Sequence, residues 1–108
     1  MSDEWAELMP AADLADGKPV RADSPWGPLM VLREGDLVFA ISNVCSHMGA
    51  PLHSGSVNRQ TSTPSATCPA HGSMFDLATG AVRRGPALTP VTPYVAKVEG
   101  GRIMARPA

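Results

Sequence analysis

Cysteine is scarce in this sequence: two residues among 108, accompanied by three histidines. Two cysteines allow one disulfide at most, so a disulfide-stapled scaffold is excluded. Aromatic residues are few as well, with two Phe, one Tyr and two Trp. Val, Leu, Ile, Ala and Met must therefore fill the core. No apolar run approaches the length that spans a bilayer. The acidic N-terminus lacks the basic and apolar regions of a secretion signal. The expectation is a cytoplasmic protein, off the membrane, with reduced thiols. Excess positive charge is missing too. A formal net charge of -1 gives no electrostatic basis for holding nucleic acid. Nor is there a Ser/His/acid arrangement, a phosphate-gripping Gly loop or a separate mononuclear-iron site. The sequence predicts no catalytic machinery of its own.

Turn-forming residues are plentiful: eleven prolines and ten glycines. They oppose long helices and punctuate the chain into short strands. "PAADLADG", 10–17, suits one helical turn between strands at 5–9 and 18–22. "LMVLREGDLVFAIS", 29–42, reads as a hairpin turning at Arg33 to Asp36. Two weak strands joined by a loop are expected over 57–67, and another strand begins at Met74. A Pro-rich loop runs from Arg84 to Pro93, and "TPYVAKVEGGRIMA" forms a last hairpin turning at Gly100 and Gly101. The length suits one domain, 1–108. The pattern is all-β, of sandwich or small-barrel type.

Both cysteines stand beside histidines, as Cys45-x-His47 and Cys68-x-x-His71, with twenty residues between His47 and Cys68. Thiolate is a soft, charged ligand, and imidazole is neutral and keeps a second ring nitrogen. Zinc accepts two sulfurs and two nitrogens tetrahedrally. Structural zinc sites, however, usually pair Cys with Cys and His with His. Mixed pairs suit a [2Fe–2S] cluster better, because each loop can give its Cys to one iron and its His to the other.

"CSHMGAPL" and "CPAHGSMFDLATG" resemble the motifs of Rieske-type [2Fe–2S] ferredoxins, the small carriers of aromatic-ring-hydroxylating dioxygenase systems. "DLADGKPV", "EGDLVFAISNVCSH", "GPAL" and "YVAKVEGGRI" extend the likeness from about residue 4 to 105. The resemblance implies an antiparallel β-sandwich carrying a small cluster-binding subdomain, about 43–86. It implies one cluster per chain, with Cys45 and Cys68 on the inner iron and His47 and His71 on the outer, near the surface. Replacing two thiolates by imidazoles makes the cluster less negative and raises its potential. Added charge on reduction also favours imidazole protonation.

Gly49 and Gly72 are expected to let backbone approach the cluster and to aim N–H groups at sulfur. Pro51 and Pro69 stiffen the loops. Pro86, in "GPA", resembles the third loop that covers the cluster. Respiratory Rieske proteins carry an extra Cys in each loop; Gly49 or Ala50, and Ala70, stand in those places. Ser73 matches a respiratory Ser that bonds cluster sulfur, while Phe75 replaces its companion Tyr. The alternative for Ser73 is simple support of loop backbone. Met48 and Met74 form an apolar rim near the histidines or fill gaps in the core. Arg83 and Arg84 either dock an acidic partner or are merely solvated. His53 reads as a surface-loop histidine, with a proton relay or docking contact as the sharper alternative.

The resemblance implies a monomeric one-electron carrier, not an enzyme. It takes electrons from a flavin-containing NAD(P)H-dependent ferredoxin reductase and passes them to a terminal Rieske non-haem iron oxygenase in aromatic compound catabolism. The alternatives are a small Rieske subunit of a nitrite reductase and, from another class, a zinc-stapled interaction module.

Overall fold

Short apolar or alternating segments between turns form ten strands in a computed structural model that describes residues 5–59 and 63–108. They are β1 Ala6–Pro10, β2 Val20–Ser24, β3 Gly27–Glu34, β4 Leu37–Ser42, β5 Ser56–Asn58, β6 Ser65–Thr67, β7 Met74–Asp76, β8 Val82–Arg84, β9 Pro93–Glu99 and β10 Arg102–Pro107. Single 3-10 turns, Ala11–Asp13 and Leu52–Ser54, are the helical elements among the described residues. Positions 60–62, inside the segment expected to hold two weak strands, lie outside the described residues.

Six strands form one antiparallel sheet in the order β1-β10-β9-β4-β3-β2. Its edge strands β1 and β2 approach one another, so the sheet curls. Strand β3 shows the reason. Leu29 and Val31 point to the inside of the curl, where Ala11, Leu14, Ala22, Ala40 and Ile103 also gather. Met30 and Leu32 point outward, and Ile41 of β4 joins them. All four β3 residues are fully buried. A strand covered on both faces must be apolar throughout, and "LMVL" is. Trp26 and Tyr94 stack at 5.3 Å and pack against the inner cluster.

The outward cluster is completed by a second sheet, β5-β6-β7-β8. It contributes Ala66 and Phe75, with Leu52, Leu77, Ala87 and Val91 from its loops, and both cysteines lie in the same apolar group. The chain departs from the large sheet after Ser42 and rejoins it at Pro93, on a neighbouring strand. A charged knot ties the two sheets at one end. Arg59, next to β5, bonds Glu34 of the β3–β4 hairpin and reaches Asp16 at 3.0 Å. Asp16 also accepts the Gly35 N–H at 2.6 Å.

Strand β8 was not expected. Three residues, Val82–Arg84, are too few to show alternation. The β3–β4 turn is tighter than expected, since Glu34 pairs with Leu37 and only Gly35 and Asp36 connect them.

Candidate metal centre

The first Cys/His loop connects β4 to β5, and the second is the tip of the β6–β7 hairpin. Their backbones follow one plan. The Cys45 N–H donates to the Ala50 carbonyl at 2.9 Å, and the Gly49 N–H to the Cys45 carbonyl at 2.8 Å. In the second loop the Cys68 N–H donates to Ser73 at 2.7 Å, and the Gly72 N–H to Cys68 at 3.2 Å. Each bond spans the same number of residues in both loops, although the histidines are spaced differently. Gly49 and Gly72 have φ of +79° and +80°, a left-handed conformation that costs other residues energy. That is what the glycines supply. Their N–H groups are spent on the cysteine carbonyls, which corrects the expectation that they face sulfur. The N–H groups that favour the Cys45 thiolate are those of His47 and Met48.

Thiols and imidazoles are segregated by depth. Cys45 and Cys68 are 2% and 3% exposed, unbridged, and close enough for their sulfurs to interact. His47 and His71 are exposed, and their rings meet edge to face, 5.1 Å between centroids. Burial pushes the Cys45 thiol up, and the neighbouring Cys68 sulfur adds to this. The backbone N–H groups of His47 and Met48 pull it down. Among the described residues, no three His, Cys, Asp or Glu side chains converge where a single ion could sit. A tetrahedral zinc staple needs four donors around one point. Two soft donors within and two imidazoles without fit a two-iron group, each iron taking one like pair.

A third loop, 85–90, joins both ligand loops. The Ala87 N–H donates to the buried Ser73 hydroxyl oxygen at 3.0 Å. The Ser46 hydroxyl donates to the Thr89 carbonyl at 2.6 Å. Ser73 therefore supports loop backbone, and its own hydroxyl hydrogen is still available to a further acceptor. Pro86 is exposed at the start of this loop. Phe75 is fully buried in the apolar group around the cysteines. Met48 is 66% exposed. Met74 is half-buried on β7, on the face opposite Phe75.

One expectation is narrowed and another corrected. Arg83, at the surface, is already paired within the chain. Its guanidinium lies on the Asp76 carboxylate and reaches the Thr63 hydroxyl at 3.1 Å. Arg84, its neighbour, is exposed. Burial pushes the Asp76 carboxyl up, but Arg83 and the N–H groups of Ala78 and Thr79 outweigh it, and the group sits below the usual range. His53, in turn, is no plain surface histidine. Its ring Nδ1 lies 2.9 Å from the Asn43 side-chain nitrogen, and its N–H donates to the Asn43 Oδ1 at 2.7 Å. Asn43, 3% exposed, also accepts the Leu52 N–H at 2.8 Å. It closes the base of the first ligand loop. Asn43, Ser46 and Thr89 were not singled out, because a lone Asn, Ser or Thr beside a ligand motif carries no pattern of its own.

Residues 4–96 match the family model described as the Rieske [2Fe-2S] domain. The anthranilate 1,2-dioxygenase ferredoxin subunit of Burkholderia cepacia is 34% identical over 93% of this chain and 89% of its own length. Human apoptosis-inducing factor 3 is 28% identical over 87% of this chain, which spans only 15% of that protein. Among solved structures, the ferredoxin of carbazole 1,9a-dioxygenase from Nocardioides aromaticivorans IC177 superimposes with a TM-score of 0.89, at 34% identity, covering 98% of this chain and all of that one. A complex of reduced oxygenase and oxidized ferredoxin in carbazole 1,9a-dioxygenase contains a chain matching with a TM-score of 0.82, at 27% identity, over 94% of this chain and 92% of that one.

Proposed function

Because the chain belongs to the Rieske [2Fe–2S] domain family, we propose that it is a non-catalytic one-electron carrier between a flavin-containing NAD(P)H-dependent reductase and a terminal Rieske non-haem iron oxygenase acting on aromatic compounds. The observation that carries this is the segregation by depth: paired thiols buried, paired imidazoles at the surface. Cys45 and Cys68 would hold the inner iron and His47 and His71 the outer. When bound, the cluster supplies the one-electron couple. The chain's part is to seal the sulfur side in an apolar group, to fix both loops through their glycine turns and third-loop bonds, and to bring the imidazole edges to the surface. The complex of an oxygenase with a similar ferredoxin supports the oxygenase as one partner. The reductase follows from the need for an electron source.

The test is anaerobic reconstitution with iron and sulfide, followed by electron paramagnetic resonance and voltammetry. One [2Fe–2S] cluster per chain with a reversible one-electron wave is expected. Replacing Cys45, His47, Cys68 or His71 by Ala should each abolish cluster binding. Stoichiometric zinc with no wave, or clusters surviving all four substitutions, would overturn the reading.

A further inference from the structure

The three loops around the paired imidazoles contain no Asp, Glu, Lys or Arg. None occurs over 42–58, 63–75 or 85–96, although 18% of the chain is charged. Among the described residues, the charges nearby are matched within the chain but for one. Arg59, Glu34 and Asp16 are tied together at the β3–β4 hairpin, and Arg83 is held by Asp76, while Arg84, exposed and opposite Met74, stands at the foot of the third loop. Beside the two imidazoles the tip exposes large apolar side chains: Leu88 at 93%, Met48 at 66% and Val44 at 45%. Leu88 is not on a loose segment. Ala87 before it is buried and bonded to Ser73, and Thr89 after it is bonded to Ser46. Each ligand loop thus holds one side of the residue. Pro86 and Pro90 flank the same stretch and restrict its backbone further. An apolar side chain fixed in water in this way loses little freedom on docking.

Resting on the carrier reading above, we propose that Leu88, with Met48 beside the imidazole edge, is the docking knob for an electron-transfer protein whose facing surface is uncharged and apolar. Charge complementarity decides the partner's chemistry. An acidic surface laid on this tip would meet only Arg84 at its margin, and a basic one no carboxylate, so either loses hydration for little return. An apolar surface brings no charge to desolvate. Association through such a tip is short-lived, as a carrier with two successive partners requires, and it is indifferent to screening by salt.

The experiment uses the cluster-loaded protein on gold electrodes coated with methyl-, carboxylate- or ammonium-terminated alkanethiol layers of equal length. Exchange should be fastest on the methyl layer and unchanged by added sodium chloride. Leu88→Glu should slow exchange on that layer about tenfold, since losing one docking contact of this type weakens binding by roughly that factor, while the potential and paramagnetic spectrum stay in place. Leu37→Glu is the control. Leu37 is 61% exposed but sits at the opposite end of β4 from the tip, and its substitution should leave the rate alone. Fastest exchange on a charged layer with loss in salt, or an unaffected Leu88→Glu variant, overturns the inference alone. No wave on any layer from a protein carrying its cluster overturns the carrier reading as well.

Discussion

Asn43 and His53 clasp each other across the mouth of the first ligand loop. The Asn43 Oδ1 accepts the His53 backbone N–H, so the Nδ2 must be the atom facing the His53 ring at 2.9 Å. An amide nitrogen only donates. The His53 Nδ1 must therefore accept, which places the ring proton on Nε2. His53→Asn puts an acceptor oxygen where Nδ1 stands; His53→Leu keeps the bulk and removes the acceptor. The expected costs are small for Asn and about 1–2 kcal/mol for Leu. Thermal unfolding of both variants would measure this. Equal stability of the two would show that the clasp contributes nothing.

Gly72 and Gly49 should resist replacement because of φ, not space. A Cβ at either position meets nothing within 4 Å, yet both carry positive φ. Gly72→Ala should destabilise by about 1–2 kcal/mol, and Gly72→Asn by less, since Asn tolerates this conformation better. Denaturant midpoints of the three proteins should fall in the order Gly, Asn, Ala.

Asp76 links stability to acid. Its carboxyl lies below its ordinary value of 3.8, so the folded state releases this proton more readily than the unfolded chain. The resulting stabilisation is complete above the unfolded value and disappears as pH falls through the folded one. Asp76→Asn loses the Arg83 pair but retains an oxygen for the Ala78 and Thr79 N–H groups. Its stability should sit below the parent's at pH 7, and the gap should close as pH falls below the ordinary value of 3.8. A gap that stays constant with pH would rule out the linkage.

Ser73 joins the third loop to the second ligand loop. Ser73→Ala removes the acceptor for the Ala87 N–H in a buried setting, at an expected cost of about 1–3 kcal/mol. If the hydroxyl hydrogen serves the cluster, the same change also lowers the potential. Unfolding and voltammetry on one preparation separate the two roles. Lost stability with an unmoved potential would leave Ser73 as loop support alone.

The strands were readable where an apolar run or an alternation was long enough. The buried "LMVL" run and the β9–β10 hairpin stand where the pattern puts them. Val82–Arg84 does not announce itself, because three residues hold no period and their pairing with β7 comes from tertiary contact. The two Cys/His pairs were visible because few residue types bind metal and spacing alone groups them. The common hydrogen-bond plan of the loops was not, since it depends on where the glycines bend the chain. Arg83 looked like half of a docking pair until Asp76, seven residues earlier, proved to hold it. A charge reads the same in sequence whether or not it is already matched.

β4 and β9 lie side by side in the large sheet, and the Ser42 N–H donates to the Thr92 carbonyl at 2.9 Å. Both Cys/His loops and the third loop thus lie on an inset whose two ends share one doorstep. Joining ends that are already neighbours leaves the host sheet's order unchanged, and the closure entropy of such a segment, on the order of 3 kcal/mol, grows only slowly with its length. The large sheet therefore works as a socket. A replacement cassette of different length or redox character needs to satisfy two conditions: it must begin and end at this doorstep, and it must cover Met30, Leu32 and Ile41.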